Sequence, residues 1–110
     1  MFPKISPQGT KAWQQLKEHF ETEMKSTQMR ELFQHNADRF RKFSLAVDEI
    51  LFDYSKNIIT EKTIQLLLRL AEESKVKDAI EAMFDGEKIN QTENRSVLHT
   101  ALRNFSGKPV

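Results

Sequence analysis

The segment that most constrains the fold begins at Thr60 and carries a broad apolar face. Its apolar residues recur at helical spacing. Ile64, Leu67, Leu68 and Ala71 lie on one face, and Leu66 and Leu70 widen it. A second helix, which we expect Ser74 to cap and Gly86 to end, repeats an inward pattern from Val76 to Phe84. Faces this broad indicate contact with more than one neighbouring element.

The residues before this pair of helices predict further helical elements. Thr10 is placed to cap a helix ending near Met24. The apolar residues of this helix predict a packing face. They are Trp13, Leu16, Phe20 and Met24. Ser26 and Thr27 predict the cap of a shorter helix, whose inward residues are Met29, Leu32 and Phe33. Residues 36–41 predict a tight turn or a helical fragment, and Phe40 and Phe43 are both expected to be buried.

The period changes to two at Phe43. Phe43, Leu45 and Val47 alternate with smaller residues, as in a strand. Residues 49–54 predict either a second short strand or an irregular buried segment, and residues 55–57 predict a turn. The fold class is therefore mostly α with one or two short strands. Because so few strands do not stabilise themselves, this pattern predicts partners that the chain does not supply.

Length and composition restrict the function. The 110 residues suffice for about one small domain. Residues 1–9, with two of the three prolines, predict an extended leader to a helical segment over residues 10–110. A net charge of +1 gives no general attraction to nucleic acid, and the apolar runs are too short to span a membrane. With no secretory leader, we expect a cytoplasmic location.

The search for chemistry is mostly negative. The chain has no cysteine and no glycine-rich phosphate loop, and no serine lies in a nucleophile-elbow pattern. His19, His35 and His99 are too far apart in sequence to predict a metal site, so we expect solvated or hydrogen-bonded histidines. The paired carboxylates of Glu72 and Glu73 lie on the polar side of their helix and are expected to be solvated.

The segment "GEKINQTENRSVLHTALRN", residues 86–104, is the exception. A helix from Glu93 to Arg103, capped by Thr92, would place Arg95, His99 and Arg103 at steps of four on one side. Such an edge would suit an anion or a carboxylate of the same protein. The alternative, which spacing alone favours, is an amphipathic helix with a solvated basic face.

The phrases "DYSKN", "GEKIN-TE-R" and "LH-ALRN" resemble the N-terminal part of the glucose-6-phosphate isomerase (phosphoglucose isomerase) family in order and spacing. The resemblance implies a longer enzyme with two α/β sandwich domains of the sugar-isomerase kind. It implies interconversion of glucose 6-phosphate and fructose 6-phosphate by acid–base proton transfer through an enediol intermediate, in glycolysis and gluconeogenesis. It also implies a homodimer that needs no redox cofactor and no metal.

The resemblance places no catalytic residue and no substrate-binding residue in this chain. We expect the family's phosphate loop, base and ring-opening histidine to lie after Val110, so that these 110 residues are an inactive N-terminal piece. Arg95 and His99 match family positions in "TE-R---LH". They are expected to lie near the sugar site as support for groups that touch substrate, with a purely structural role as the alternative.

A different hypothesis stays open. The chain would then be a self-contained small helical module that docks a protein partner through the Trp13 face or the Arg95–Arg103 edge. A module should unfold cooperatively as a monomer. A piece of a longer enzyme should expose the apolar faces of the helices over residues 60–74 and 76–84, and should tend to self-associate through them.

Overall fold

The computed structural model describes residues 4–90, 92–99, 101–103 and 106–108. Within these residues five α-helices and two strands follow one another, with 3-10 turns at Pro7–Gly9 and Ala101–Arg103 and a π-helical turn at Phe20–Met24. Their bounds are α1 Lys11–His19, α2 Met29–His35, α3 Arg39–Lys42, β1 Ser44–Val47, β2 Ile50–Asp53, α4 Glu61–Glu73 and α5 Val76–Phe84. The predicted fold class, mostly α with one or two short strands, is confirmed.

The chain divides into two compact units. One comprises Met1–Trp13 and Leu68–Val110, and the other comprises Gln14–Leu67. Among the described residues, the buried apolar ones are Ala12 and Ala82 in the first unit and Phe43 and Leu66 in the second. The part of the chain that the structure describes contains no helix with the length and apolarity needed to cross a membrane.

Helix α1 begins as its cap predicts. The Thr10 hydroxyl accepts a hydrogen bond from the Trp13 amide at 3.2 Å and donates one to the Pro7 carbonyl at 2.6 Å. The carboxylate of Glu73 accepts a further bond from the Ala12 amide at 2.8 Å. The expectation that Glu73 is simply solvated is therefore wrong, because this carboxylate satisfies a free amide at the positive end of α1.

The predicted apolar face of α1 is not its buried face. Ala12 and His19, seven positions apart, are buried, whereas Trp13 and Phe20 are exposed. The helical spacing was correct, but the side that packs is the one carrying the smaller residue and the histidine. From Phe20 the backbone widens into a π-helical turn, closed by the Lys25 amide on the Phe20 carbonyl at 2.8 Å.

Two predicted caps are wrong. Gln28, not Ser26 or Thr27, precedes α2, and the Thr27 hydroxyl donates instead to the Glu23 carbonyl at 2.6 Å. At α5 the preceding residue is Lys75, held at φ 59°, while Ser74 lies one position too early. Its hydroxyl oxygen is buried without a hydrogen-bond partner among the described residues.

The strand prediction is confirmed for residues 44–47, and the second segment forms a strand as well. Strands β1 and β2 pair antiparallel, with Leu45 opposite Phe52 and Val47 opposite Ile50. A two-residue loop joins them, and Asp48 adopts φ 52° there, which aspartate tolerates better than most residues. Phe43 is buried as expected, but Phe40 is half exposed.

Helix α4 begins where the sequence predicts, but its buried residue is not one of those expected to form the main apolar face. Thr60 and Thr63 cap reciprocally: the Thr60 amide donates to the Thr63 hydroxyl at 3.0 Å, and the Thr63 amide donates to the Thr60 hydroxyl at 3.4 Å. Leu66, expected only to widen the apolar face, is the buried residue of the helix. The apolar residues that remain exposed on α4 and α5 are Leu67, Leu68, Val76, Ile80 and Phe84.

Candidate functional site

The segment after α5 forms a closed loop and not the predicted helix. Gly86 takes the left-handed conformation expected of it, at φ 78°. Asn90 and Arg95 then exchange two backbone hydrogen bonds, at 2.9 and 3.1 Å. The Asn90 side chain accepts from the Glu93 amide at 3.3 Å, and Asn94 turns the chain at φ 53°. The two asparagines favour this turn over a helix capped by Thr92.

Arg95 and His99 are consequently not aligned on a helical edge. The Arg95 side chain is 75% exposed, with its Nη1 3.4 Å from a Glu93 carboxylate oxygen, and His99 is exposed as well. Arg103 lies in a 3-10 turn, and its side chain is outside the described residues, as are Thr100 and Asn104. The arrangement leaves the Arg95 guanidinium accessible to an anion, because a solvent-exposed pair with Glu93 is weak.

A buried arginine dominates the second unit, and sequence reasoning missed it. Arg39 is only 2% exposed and donates through Nε and Nη2 to the Ser55 carbonyl, at 3.2 and 2.8 Å. Nη2 also reaches the Asn57 carbonyl at 3.0 Å, and Nη1 the Ile59 carbonyl at 2.9 Å. One planar guanidinium therefore fixes the whole loop that follows β2.

The same guanidinium stacks on two aromatic rings. It lies 4.7 Å from the centre of the Phe43 ring and 5.4 Å from that of Phe33. Burial lowers the pKa of Arg39 from its usual value, although an arginine remains charged. A weak sequence signal existed: Arg39 and Phe43 are four residues apart, so one turn of helix brings cation and ring together.

The loop held by Arg39 is the "DYSKN" segment. Asp53 accepts hydrogen bonds from the Ser55 hydroxyl at 2.7 Å and from the Ser55 amide at 2.9 Å. These bonds, the hydroxyl's first, lower the pKa of the Asp53 carboxyl from its usual value. The side-chain Nδ2 of Asn57 donates to the Tyr54 carbonyl at 3.1 Å. The motif's polar residues thus shape their own loop.

A second polar cluster surrounds His19, which is 3% exposed. Its Nδ1 hydrogen-bonds the Glu23 carboxylate, and its Nε2 lies 2.7 Å from the Thr63 hydroxyl. Lys62 adds an ion pair to the same carboxylate at 3.2 Å. The bond from His19 and then that from Lys62 lower the pKa of Glu23. The four-residue spacing of His19 and Glu23 was visible in the sequence and could have identified this pair.

Neither cluster has the form of a catalytic centre. Both ring nitrogens of His19 are engaged, and Arg39 uses four hydrogen bonds on backbone carbonyls. Within the described ranges, no three histidine, aspartate or glutamate side chains gather closely enough to hold a metal ion. The two clusters position loops and helices, whereas Arg95 and His99 in the segment after Gly86 have exposed side chains without such a role.

Comparison with known proteins agrees with these motifs. A family model for phosphoglucose isomerase matches residues 53–110, which begin at the loop fixed by Arg39 and include the segment after Gly86. A glucose-6-phosphate isomerase of Buchnera aphidicola subsp. Schizaphis graminum is 58% identical over 102 residues. That match covers 92% of this chain but 18% of the relative's length. The chain belongs to the phosphoglucose isomerase family.

Proposed function

We propose that this chain is the N-terminal part of a glucose-6-phosphate isomerase. The longer protein interconverts glucose 6-phosphate and fructose 6-phosphate by moving a proton between C1 and C2 through an enediol intermediate. The observation that carries the proposal is the 58% identity over 102 residues to a relative of that name. The longer protein is a cytoplasmic homodimer of glycolysis and gluconeogenesis that uses no redox cofactor.

Within that enzyme the 110 residues act as a support and not as the catalytic centre. The two buried ionisable side chains that are best placed to do chemistry, Arg39 and His19, are occupied by carbonyl, carboxylate and hydroxyl partners. Arg95 and His99 are accessible and lie in the part matched by the family model. We assign them a positioning role near the sugar site, where they hydrogen-bond groups that touch the substrate.

The test starts from the natural gene product. An antibody raised against these residues captures it from the source cell, and its intact mass is compared with the 12.9 kDa of this chain. The captured protein is then assayed for conversion of fructose 6-phosphate to glucose 6-phosphate, with glucose-6-phosphate dehydrogenase reporting the product as NADPH. We expect a mass several times larger and robust turnover.

Two controls sharpen the result. The purified 110-residue chain is expected to give no turnover above a vector-only preparation, because the resemblance places the phosphate loop and the catalytic base in the longer protein. Reproducible turnover by this chain would contradict the supporting role. A native product of 12.9 kDa without isomerase activity would reject the proposed function and favour the small interaction module.

A further inference from the structure

The β1–β2 hairpin presents one wholly apolar face. Residues opposite one another on paired strands project to the same side, and the register pairs Leu45 with Phe52 and Val47 with Ile50. All four side chains are well exposed: 59% for Leu45, 59% for Phe52, 66% for Val47 and 72% for Ile50. We call these four residues the hairpin face. Exposed apolar residues gathered in this way mark a contact surface.

The opposite side of the hairpin is different in character. Ser44 pairs there with Asp53, and Ala46 pairs with Leu51. Three of these four residues are polar or small, and Leu51, which is 57% exposed, is the one large apolar side chain among them. The apolar surface of the hairpin is therefore concentrated on the hairpin face.

The hairpin face continues a region that is already packed. Phe43 is buried beneath the Arg39 guanidinium, and the Tyr54 amide bonds the Phe43 carbonyl at 2.9 Å. Tyr54 stacks on Phe52 at 5.3 Å and meets Phe43 edge-on at 5.9 Å. The aromatic packing thus runs from the buried base of the hairpin to the edge of the exposed face. A cover over the remaining residues would extend an existing core.

We propose that the hairpin face is covered by apolar side chains of the same polypeptide, from the part that follows the matched region in the longer protein. The inference rests on the proposed function, because it takes the chain as the leading piece of a longer isomerase. The matched relative supplies the length: the matched region is 18% of it, so most of its polypeptide lies outside these residues. The covering surface is apolar, since a charged group would lose its hydration there without a partner.

The size of the face argues for this occupant over a second copy of the chain. Four side chains at these exposures offer on the order of several hundred Å², whereas a stable complex between separate molecules buries about 800 Å² on each partner. A segment of the same polypeptide loses little additional translational and rotational freedom on docking, so a smaller face is sufficient.

The test compares two cysteine variants of the longer protein. Ile50→Cys lies on the hairpin face, and Glu49→Cys, one residue earlier, lies in the exposed loop. The native protein is treated with a maleimide, and labelling at each position is followed by peptide mass spectrometry. We expect Ile50→Cys to label at least about tenfold more slowly than Glu49→Cys, with equal rates after denaturation. Equal rates in the native protein would overturn the proposal.

A replacement variant and further measurements distinguish the other possible outcomes. If Ile50→Cys does not fold, Val47→Cys on the same face replaces it. Protection lost on dilution to monomers would identify a second copy as the cover and overturn the proposal. The same samples are assayed for isomerase activity. Slow labelling of Ile50→Cys without isomerase turnover would reject the proposed function but would still support a covered hairpin face. A natural product of only these 110 residues removes the occupant and overturns the inference.

Discussion

Arg39 donates two hydrogen bonds to the carbonyl oxygen of Ser55, sixteen residues further along the chain. With its bonds to Asn57 and Ile59, this side chain supplies donors to three backbone acceptors of one loop. Arg39→Met keeps the apolar stem but leaves those carbonyls without donors, so we expect a loss of about 3–5 kcal/mol in the free energy of unfolding. Chemical denaturation measures it.

The matched control is Arg41→Met, two residues away and exposed. We expect a change within about 0.5 kcal/mol, as for most surface substitutions. Arg39→Lys is a further comparison. A lysine keeps the charge but lacks the planar fork, so it should recover only part of the stability. Equal stability of the Arg39→Met and Arg41→Met proteins would show that the carbonyl contacts contribute little.

The contrast between these arginines illustrates the limits of sequence reasoning. Periodicity identified β1 because alternation is a local property, and Thr10 was identifiable as a cap because its hydroxyl bonds an amide three residues further on. Arg39 could not be distinguished from Arg41 in this way. Its burial depends on carbonyls 16 to 20 residues distant, which the chain brings together only after folding.

The helix predicted at the candidate site was wrong because two local signals in the sequence conflict. Apolar spacing in residues 93–103 predicted a helix, but the Asn90 side chain and the left-handed Asn94 close a loop first. The motif itself still identified the family, because a resemblance depends on residue identity and not on the element that carries it. His19 is hydrogen-bonded, which is one of the two expectations for it, but its partner Thr63 could not be identified because it lies 44 residues away.

The contact between His19 and Thr63 should be measurable as a coupling energy. Thr63→Val removes the hydroxyl that faces Nε2 at 2.7 Å, and His19→Ala removes the ring. Each variant also loses other interactions, so a double-mutant cycle is needed to isolate the pair. We expect a coupling of about 0.5–1.5 kcal/mol in the free energy of unfolding. Strictly additive losses would mean that this hydrogen bond does not stabilise the fold.

Asp53 should give the fold a dependence on acid pH that Ser55 controls. Hydrogen bonds from Ser55 lower the pKa of this carboxyl from 3.8. Ionised Asp53 therefore stabilises the folded state above the unfolded pKa, and this contribution disappears as the pH falls through the folded value. Ser55→Ala removes the Ser55 hydroxyl, which is the largest cause of the lowered pKa. The Tm of this variant should therefore approach that of the unsubstituted protein below pH 3.8.

Carbon-13 NMR titration of the Asp53 carboxyl checks the origin of that effect. The pKa should rise toward its usual value in Ser55→Ala. An unchanged titration would assign the lowering to the Ser55 backbone amide, which the substitution retains and which is the next largest cause, ahead of the charge of Lys56.

Gly86 and Gly9 form a matched pair for backbone strain. An added Cβ would meet no atom within 4 Å at either position, but only Gly86 has a positive φ, at 78°. Gly86→Ala should therefore cost about 1–2 kcal/mol in the free energy of unfolding through backbone strain alone. Gly9→Ala should change it by less than about 0.5 kcal/mol. Similar effects of the two changes would show that the left-handed conformation after α5 is not maintained.

Arg95 provides the sharpest test of the segment after Gly86. Its side chain is 75% exposed within this chain, so Arg95→Ala should leave the Tm of the longer protein nearly unchanged. If it positions a group that touches the sugar phosphate, kcat/KM should fall about tenfold, equivalent to about 1.4 kcal/mol of transition-state stabilisation. Steady-state assays should place the loss mainly in kcat, and Arg95→Lys should restore part of it because the positive charge remains.

The control is Arg69→Ala, which replaces an exposed arginine on α4 and should retain full activity. A fall in Tm at Arg95→Ala with unchanged kcat and KM would instead assign Arg95 a structural role.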